Sequence, residues 1–426
     1  KPVDFRKGTE HGLEGSADWP ISYEDLAPYY DLNDREMGIS GIAGDPANPP
    51  RSPRQTPPLP FGPHTTRITA ALDRLGWHWW PADNAIITED YDGRVACVHC
   101  GACRNGCPRG SLATVTRTYL PKAMANGVEI RPFARVERIT TDARGRADGV
   151  EYIDLRDASR HRLEADIVVL AAGGIGSPRI LFLSADGRHP DGLANSSGLV
   201  GRYLMHHAYA DNHIVFDQPV DSFAGAYGAP ILSQEFYDTD VSRGFVNGFT
   251  YQFGRGMTPA PAALGLPWGE RHREEFARFF NHEIWFSVQG EDLPIYENRV
   301  ELDDTCADSS GLPGAKITWK LHPNDRKLID FGMERAREIA AAAGAVELRS
   351  NLSIPNPAWH LLGTCRMGDD PETSVTDADH QAWDVPNLYI CDGSSFVTGG
   401  SVNPTSTIGA LALRCADRIL ARKGAG

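Results

Sequence analysis

Two groups of residues in this chain have the types and spacing to do chemistry. The first is Cys97, Cys100, Cys103 and Cys107, with Pro108 behind them, in C-x2-C-x2-C-x3-C-P spacing. Short spacers containing Gly101 and Gly106 let the backbone curl so that several thiolates face one point. Thiolates are soft ligands that suit an iron–sulfur cluster or zinc. The same four residues also read as reduced or disulfide-paired cysteines shaping a loop, and both readings stand. The second group lies in the last third of the chain: His360, then Asp392 with Gly393, then Asn403, Pro404 and Thr405. A neutral imidazole can take a proton from a hydroxyl. A carboxamide can hydrogen-bond the same oxygen without competing for that proton. With 14 histidines in the chain, one imidazole carries little weight by itself. His360 stands out because of the pattern around it.

The elements that must position these residues are legible nearby. Residues 385–391 form a short apolar run ending in Asp392 and Gly393, which reads as a strand whose carboxyl end carries a carboxylate. In open α/β sheets that edge is where cofactors sit. Pro404 suits a first helical position, and residues 405–420 carry apolar side chains at helical spacing. The free amides of that first turn make a small positive site, suited to a partly anionic ring oxygen. Upstream, residues 166–173 form a continuous apolar run, predicted as a strand buried on both faces. A turn through Gly173, Gly174, Gly176, Ser177 and Pro178 follows, and then a helix over 179–183. Residues 128–132 are predicted as a short strand, and 134–139, 147–153 and 161–164 as an antiparallel meander. Helices are predicted over 22–37, with Ser22 as N-cap and Asp25 three residues on, over 64–75, and from Tyr119. Residues 44–63 hold eight prolines and read as a surface loop.

His360, Gly363, Thr364 and Met367 follow a His-x-x-Gly-Thr-x-x-Met pattern, with Asn403 before Pro404 some forty residues later. This pair of motifs, with Asp392-Gly393 between them, resembles the C-terminal signature of the glucose–methanol–choline (GMC) flavoprotein oxidoreductases. The run 173–178 and the segment 195–207 resemble that family too, as do Trp19-Pro20 with Ser22-Tyr23-Glu24-Asp25-Leu26. The resemblance implies FAD as cofactor, with His360 and Asn403 catalytic. It places Val136, Ala172, Gly173, Asp392, Gly393, Asn403, Pro404 and Thr405 at the cofactor. Asp392 alternatively reads as a turn carboxylate capping the next segment. His206 and His207 read as packing or capping groups. The implied fold is α/β and α+β: an incomplete FAD-binding, Rossmann-like three-layer domain with an antiparallel-sheet substrate domain. The expected division is 1–115 as cap and Cys-rich loop, 116–212 and 357–426 as parts of the FAD-binding domain, and 213–356 as the substrate domain. No G-x-G-x-x-G follows a strand and opens a helix. The chain therefore reads as a fragment lacking the N-terminal ADP-binding segment, about a hundred residues or more by domain size. Such a fragment should bind FAD poorly and expose apolar sheet surface.

The implied activity is oxidation of a primary or secondary alcohol, of a sugar or polyol, by hydride transfer to flavin. The cysteine run favours a dehydrogenase that passes electrons to a cytochrome or small subunit. An oxidase using oxygen is the nearest alternative, and an iron–sulfur electron carrier with a decayed catalytic motif is another. In the region 213–356, residues 245–253, 283–289, 298–302 and 316–320 read as one antiparallel sheet, crossed by a helix over 323–343. Glu283, Trp285, Phe286 and Gln289 either line the substrate side or fill the core. The 426 residues suffice for two or more domains. A net charge of -14 argues against nucleic acid, which needs clustered Lys and Arg. No apolar run approaches the roughly 20 residues of a membrane span.

Overall fold

The computed structural model describes residues 1–13, 15–226, 228–352 and 359–424, with side chains to 422. The first part of the chain runs α1 (Lys7–His11), α2 (Tyr23–Met37), α3 (Pro63–Leu75), β1 (Trp80–Pro81) and α4 (Tyr119–Ala125). Next come β2 (Ala134–Thr141), β3 (Ala147–Asp154), β4 (Arg160–Glu164), β5 (Val168–Leu170) and α5 (Gly173–Leu183). The middle holds β6 (Ala208–Val215), β7 (Ile231–Ser233), β8 (Phe249–Phe253), α6 (Pro259–Leu264), α7 (His272–Phe279) and β9 (Glu283–Gly290). The end holds β10 (Arg299–Ala307), β11 (Pro313–Thr318), α8 (Pro323–Ala343), β12 (Glu347–Leu352), β13 (Leu388–Ile390) and α9 (Thr405–Gly424).

Local chemistry sets the helix ends. Asp25 N–H donates to Ser22 Oγ at 3.2 Å while Ser22 N–H donates to the Asp25 carboxylate at 2.8 Å, so two orphan amides of α2 are satisfied reciprocally. Gly38 stops α2 and Gly344 stops α8, each left-handed (φ 68° and 71°), a conformation that costs glycine least.

A six-stranded antiparallel sheet, in order β1-β7-β8-β9-β6-β12, forms the larger layer. Its register pairs Ala210 with Val288 and Asn212 with Phe286. Strand alternation therefore sends Phe249, Phe253, Phe286 and Val288 to one face, where they pack with Ile68 and Leu72 of α3 and Leu328, Ile329 and Ile339 of α8. The other face carries Tyr209, Asp211, Thr250, Ser287 and Gln289. Phe286 is thus a core residue, while Gln289 is on the opposite side. The segments at 299–307 and 313–318 do not join this sheet, against expectation. They form a separate hairpin, β10 with β11, tied to α5 by Arg179, which donates to Asp308 at 2.7 Å and to the Pro313 carbonyl at 2.9 Å. Only Val300 in β10 is fully buried, so that hairpin has no continuous apolar face to lay on the large sheet.

β5 and β13 pair in parallel, Val168 opposite Leu388 and Leu170 opposite Ile390. Val168, Leu170, Leu388 and Ile390 share a core with Ile139 and Ala147 of the antiparallel β2-β3-β4 meander. Two expectations are corrected here. β5 is not buried on both faces: Val169 is 51% exposed. Residues 128–132 form no strand, and Val128 and Ile130 are half exposed, because no ladder partner reaches them among the described residues. α5 also begins earlier than predicted, at Gly173 rather than Arg179, with Pro178 inside it. The expected boundary at 356/357 lies outside the described residues. Among the described residues no helix is long and apolar enough to cross a membrane.

Candidate active site

The segment 361–367 threads between two other parts of the chain as a short extended ladder. Leu362 and Met205 exchange backbone hydrogen bonds of 3.0 Å each way. On the other side Gly363, Cys365 and Met367 donate to the carbonyls of Gly393, Ser394 and Ser395 at 3.1, 2.7 and 3.0 Å. The His360 motif and the Asp392-Gly393 turn are therefore one backbone unit. Pro178 explains how α5 joins it. A proline has no N–H for the carbonyl four residues earlier, so the Gly174 carbonyl is left open. Thr364 Oγ1 donates to it at 2.8 Å. A side chain at Gly174 would put a Cβ 2.4 Å from the Leu361 carbonyl oxygen, so glycine is required for this approach.

Asp392 closes the opposite end of this cluster. Its Oδ2 accepts from Gly173 N–H at 2.8 Å and from Ser177 Oγ at 2.5 Å, and its Oδ1 accepts from Ser394 N–H at 2.7 Å. Ala172 N–H donates to Ser177 Oγ at 3.0 Å. The carboxylate caps the first turn of α5, where the helix dipole favours negative charge. The capping reading of Asp392 accounts for these bonds. They also bring Ala172, Gly173, Asp392 and Gly393 together, with open space where a Gly173 side chain would point. Val136 lies apart, on β2 opposite Tyr152.

His360 sits in the left-handed region at φ 60°, unusual for a non-glycine residue and a feature that clusters at functional sites. Its Nδ1 is buried without a hydrogen-bond partner among the described residues. Burial lowers its pKa from 6.5 to about 4, so the ring is neutral over the working range. Its neighbour is His207, with ring centroids 4.8 Å apart at 81°. Trp359 stacks on Tyr209 at 6.4 Å. His207 also meets the backbone of Val402, and so links His360 to the loop that ends in Asn403. That loop is pinned from behind: Gly400 N–H donates to Glu291 at 3.1 Å, Ser401 Oγ to the Gly248 carbonyl at 2.7 Å. Glu291 lies 3.3 Å from the buried Lys7 ammonium. Asn403 and Thr405 are exposed and Pro404 is buried, opening α9 with Ile408 N–H on the Pro404 carbonyl at 2.9 Å.

Cys97, Cys100, Cys103 and Cys107 line one shallow hollow, with room for about 10 Å³, together with Ile86, Val98 and Leu112. No disulfide joins any of the four, which removes the disulfide-paired reading. Among the described residues no group of three or more His, Cys, Asp or Glu side chains is assembled at metal-binding geometry. The backbone is nonetheless turned toward sulfur. His99 N–H donates to Cys97 Sγ at 3.4 Å. Burial raises the Cys107 pKa, and the N–H groups of residues 109–112 outweigh it, leaving the thiol below its usual value.

His207, read from the sequence as a packing or capping group, lies against His360. Its approach to His360 follows from the pairing of Met205 with Leu362, across more than 150 residues, which no local pattern encodes.

Comparison with known proteins agrees with this arrangement. Residues 60–209 match the N-terminal GMC oxidoreductase model and 294–412 the C-terminal one. The chain is 52% identical to 2-methyl-1,2-propanediol dehydrogenase of Mycolicibacterium austroafricanum, over 99% of this chain and 78% of that protein. It is 31% identical to the fructose dehydrogenase large subunit of Gluconobacter japonicus, over 98% of this chain and 77% of that protein. An FAD-dependent oxidoreductase from Chaetomium thermophilum shares the fold, with TM-score 0.61 at 16% identity, over 99% of this chain and 83% of that one. The shared ladder of the His360 motif and these likenesses together show that the chain belongs to the GMC oxidoreductase family.

Proposed function

We propose that the protein oxidises a primary or secondary alcohol group of a small diol, polyol or sugar, with FAD as cofactor, as a dehydrogenase. When bound, FAD supplies the hydride acceptor at N5. The rest falls to the chain's own residues. His360 takes the hydroxyl proton, and Asn403 hydrogen-bonds the same oxygen and orients its C–H. Asp392, Gly393, Ala172 and Gly173 form the cofactor-side edge at the start of α5, and Pro404 and Thr405 present the first-turn amides of α9 to a partly anionic ring oxygen. Val136 would meet the adenine end. The residues fit such a group. The buried, partnerless Nδ1 of His360 is a polar atom waiting for a ligand, and this observation carries the proposal. The 52% identity to a diol dehydrogenase supports a small diol as substrate.

Anaerobic mixing of the FAD-loaded enzyme with 2-methyl-1,2-propanediol tests this. Flavin absorbance should bleach rapidly, and His360→Ala should slow bleaching by about 10²–10⁴-fold, the usual worth of a positioned base. Bleaching at an unchanged rate in that variant rules out His360 as base.

We further propose that residues 116–212 and 357–426 form the FAD-binding domain, consistent with β5 pairing to β13, and that 213–356 forms the substrate domain. The exposed Val169 of β5 supports an ADP-binding segment that completes this sheet. We also propose that the four cysteines hold an iron–sulfur cluster that passes electrons to a partner subunit. The shared hollow and the N–H groups aimed at sulfur support it. Iron and acid-labile sulfide should be found in protein purified without oxygen, and lost in Cys103→Ser. A metal-free protein of full activity would end the cluster reading. Peroxide released under oxygen in step with turnover would favour an oxidase.

A further inference from the structure

We infer that His207 is a positioning residue, which holds the imidazole of His360 in the orientation that takes up a proton. The inference rests on the reading of His360 as base.

His207 is 2% exposed and is held at both ring nitrogens. Its Nδ1 lies 3.2 Å from the Gly290 carbonyl oxygen. A carbonyl only accepts, so Nδ1 must carry the hydrogen. Nε2 is then a lone-pair acceptor, and it lies 3.4 Å from Gln289 Nε2, whose N–H donates to it. The two partners are consecutive residues of β9, one main-chain and one side-chain, so the ring can neither flip nor swing without breaking a bond to the sheet. Among the described residues, His360 Nδ1 makes no hydrogen bond. Edge-to-face contact with His207, at 4.8 Å and 81°, restrains its ring.

The groups facing His207 are His360 and His206, with Gln289 and Gly290 from β9 and the Val402 backbone. Asp292 is engaged by the His206 N–H at 3.0 Å. Burial first, and then the two imidazoles, lower the His207 pKa to about 3. The ring stays neutral over the working range. Its action is steric orientation.

The test uses the full chain loaded with FAD, together with long-range ¹H–¹⁵N spectra of its histidines. His207 should appear as the neutral Nδ1–H tautomer, and the Nε2–H tautomer would overturn the argument. His207→Ala should lower kcat by about 10–100-fold, the cost of ångström-scale misplacement, with KM within twofold. It should also raise the His360 pKa from about 4 toward 6.5 as water enters, moving the acid limb of kcat upward. His207→Phe should restore part of kcat by keeping a ring edge. Gln289→Met, which removes one anchor and leaves the core face of β9 untouched, covers the case in which His207→Ala does not fold. An unchanged kcat and acid limb in folded His207→Ala, or in folded Gln289→Met, would overturn the inference. If His360→Ala keeps full turnover, the base assignment fails, and the tautomer measurement still reports on His207 by itself.

Discussion

The lowered pKa of His360 makes a prediction that separates it from an ordinary histidine base. Only the neutral ring can accept the substrate proton, so activity is lost as pH falls through the folded-state pKa. Burial puts that value at about 4, against 6.5 for an exposed ring. At pH 5.5 a group of pKa 4 is about 97% neutral, and one of pKa 6.5 about 9% neutral, a difference of roughly tenfold in rate. The assay is kcat/KM for a diol against an artificial electron acceptor from pH 3.5 to 8, with folding checked by circular dichroism at each point. The expected profile is flat down to about pH 5. A half-maximal rate near pH 6.5 in folded enzyme would refute the reasoning, because it would place water on the imidazole that the structure buries. His360→Gln should lose most of its rate and any acid limb arising from this group.

Other predictions follow from packing. Asp392→Asn replaces a carboxylate accepting three hydrogen bonds by an amide that faces donors with a donor. At about 1.5–3 kcal/mol for a bond to a charged group, it should cost about 3 kcal/mol, read as a lower urea midpoint. Gly174→Ala should destabilise by about 2 kcal/mol, because its Cβ would meet the Leu361 backbone at 2.4 Å. The clash should appear as a lower melting temperature together with weaker FAD retention. His380 is fully buried, its Nδ1 on the Ile390 carbonyl at 3.1 Å, and burial lowers its pKa to about 4. The unfolded ring takes a proton below pH 6.5 and the folded ring does not, so its contribution is intact above 6.5 and is lost as pH falls toward 4. His380→Phe should remove up to about 3 kcal/mol of the stability difference between pH 7 and pH 4. An unaltered pH slope in that variant would contradict the assigned burial.

Much of the fold was legible where one element decides its own fate. The reciprocal Ser22–Asp25 cap, the α8 span between Pro323 and Gly344 and the β2-β3-β4 meander follow from local rules. The misreadings share a cause. The early start of α5 depends on Thr364 taking the carbonyl that Pro178 frees, a contact 190 residues distant. The hairpin β10-β11 leaves the main sheet because Arg179 ties it elsewhere. In the site, the spacing of His360 and Asn403 was visible, and so were the four cysteines that line one hollow. The contact of His207 with His360 was not visible, since it comes from register between strands and not from a motif.

The shared ladder through Leu362, Gly363, Cys365 and Met367 has a kinetic consequence. Its partners come from Met205 and from the 393–395 turn, so neither edge can form by local collapse. Closing loops of such length before any reward slows folding and leaves the final assembly to the end. Catalytic competence should therefore emerge last during refolding, well after helical signal has returned.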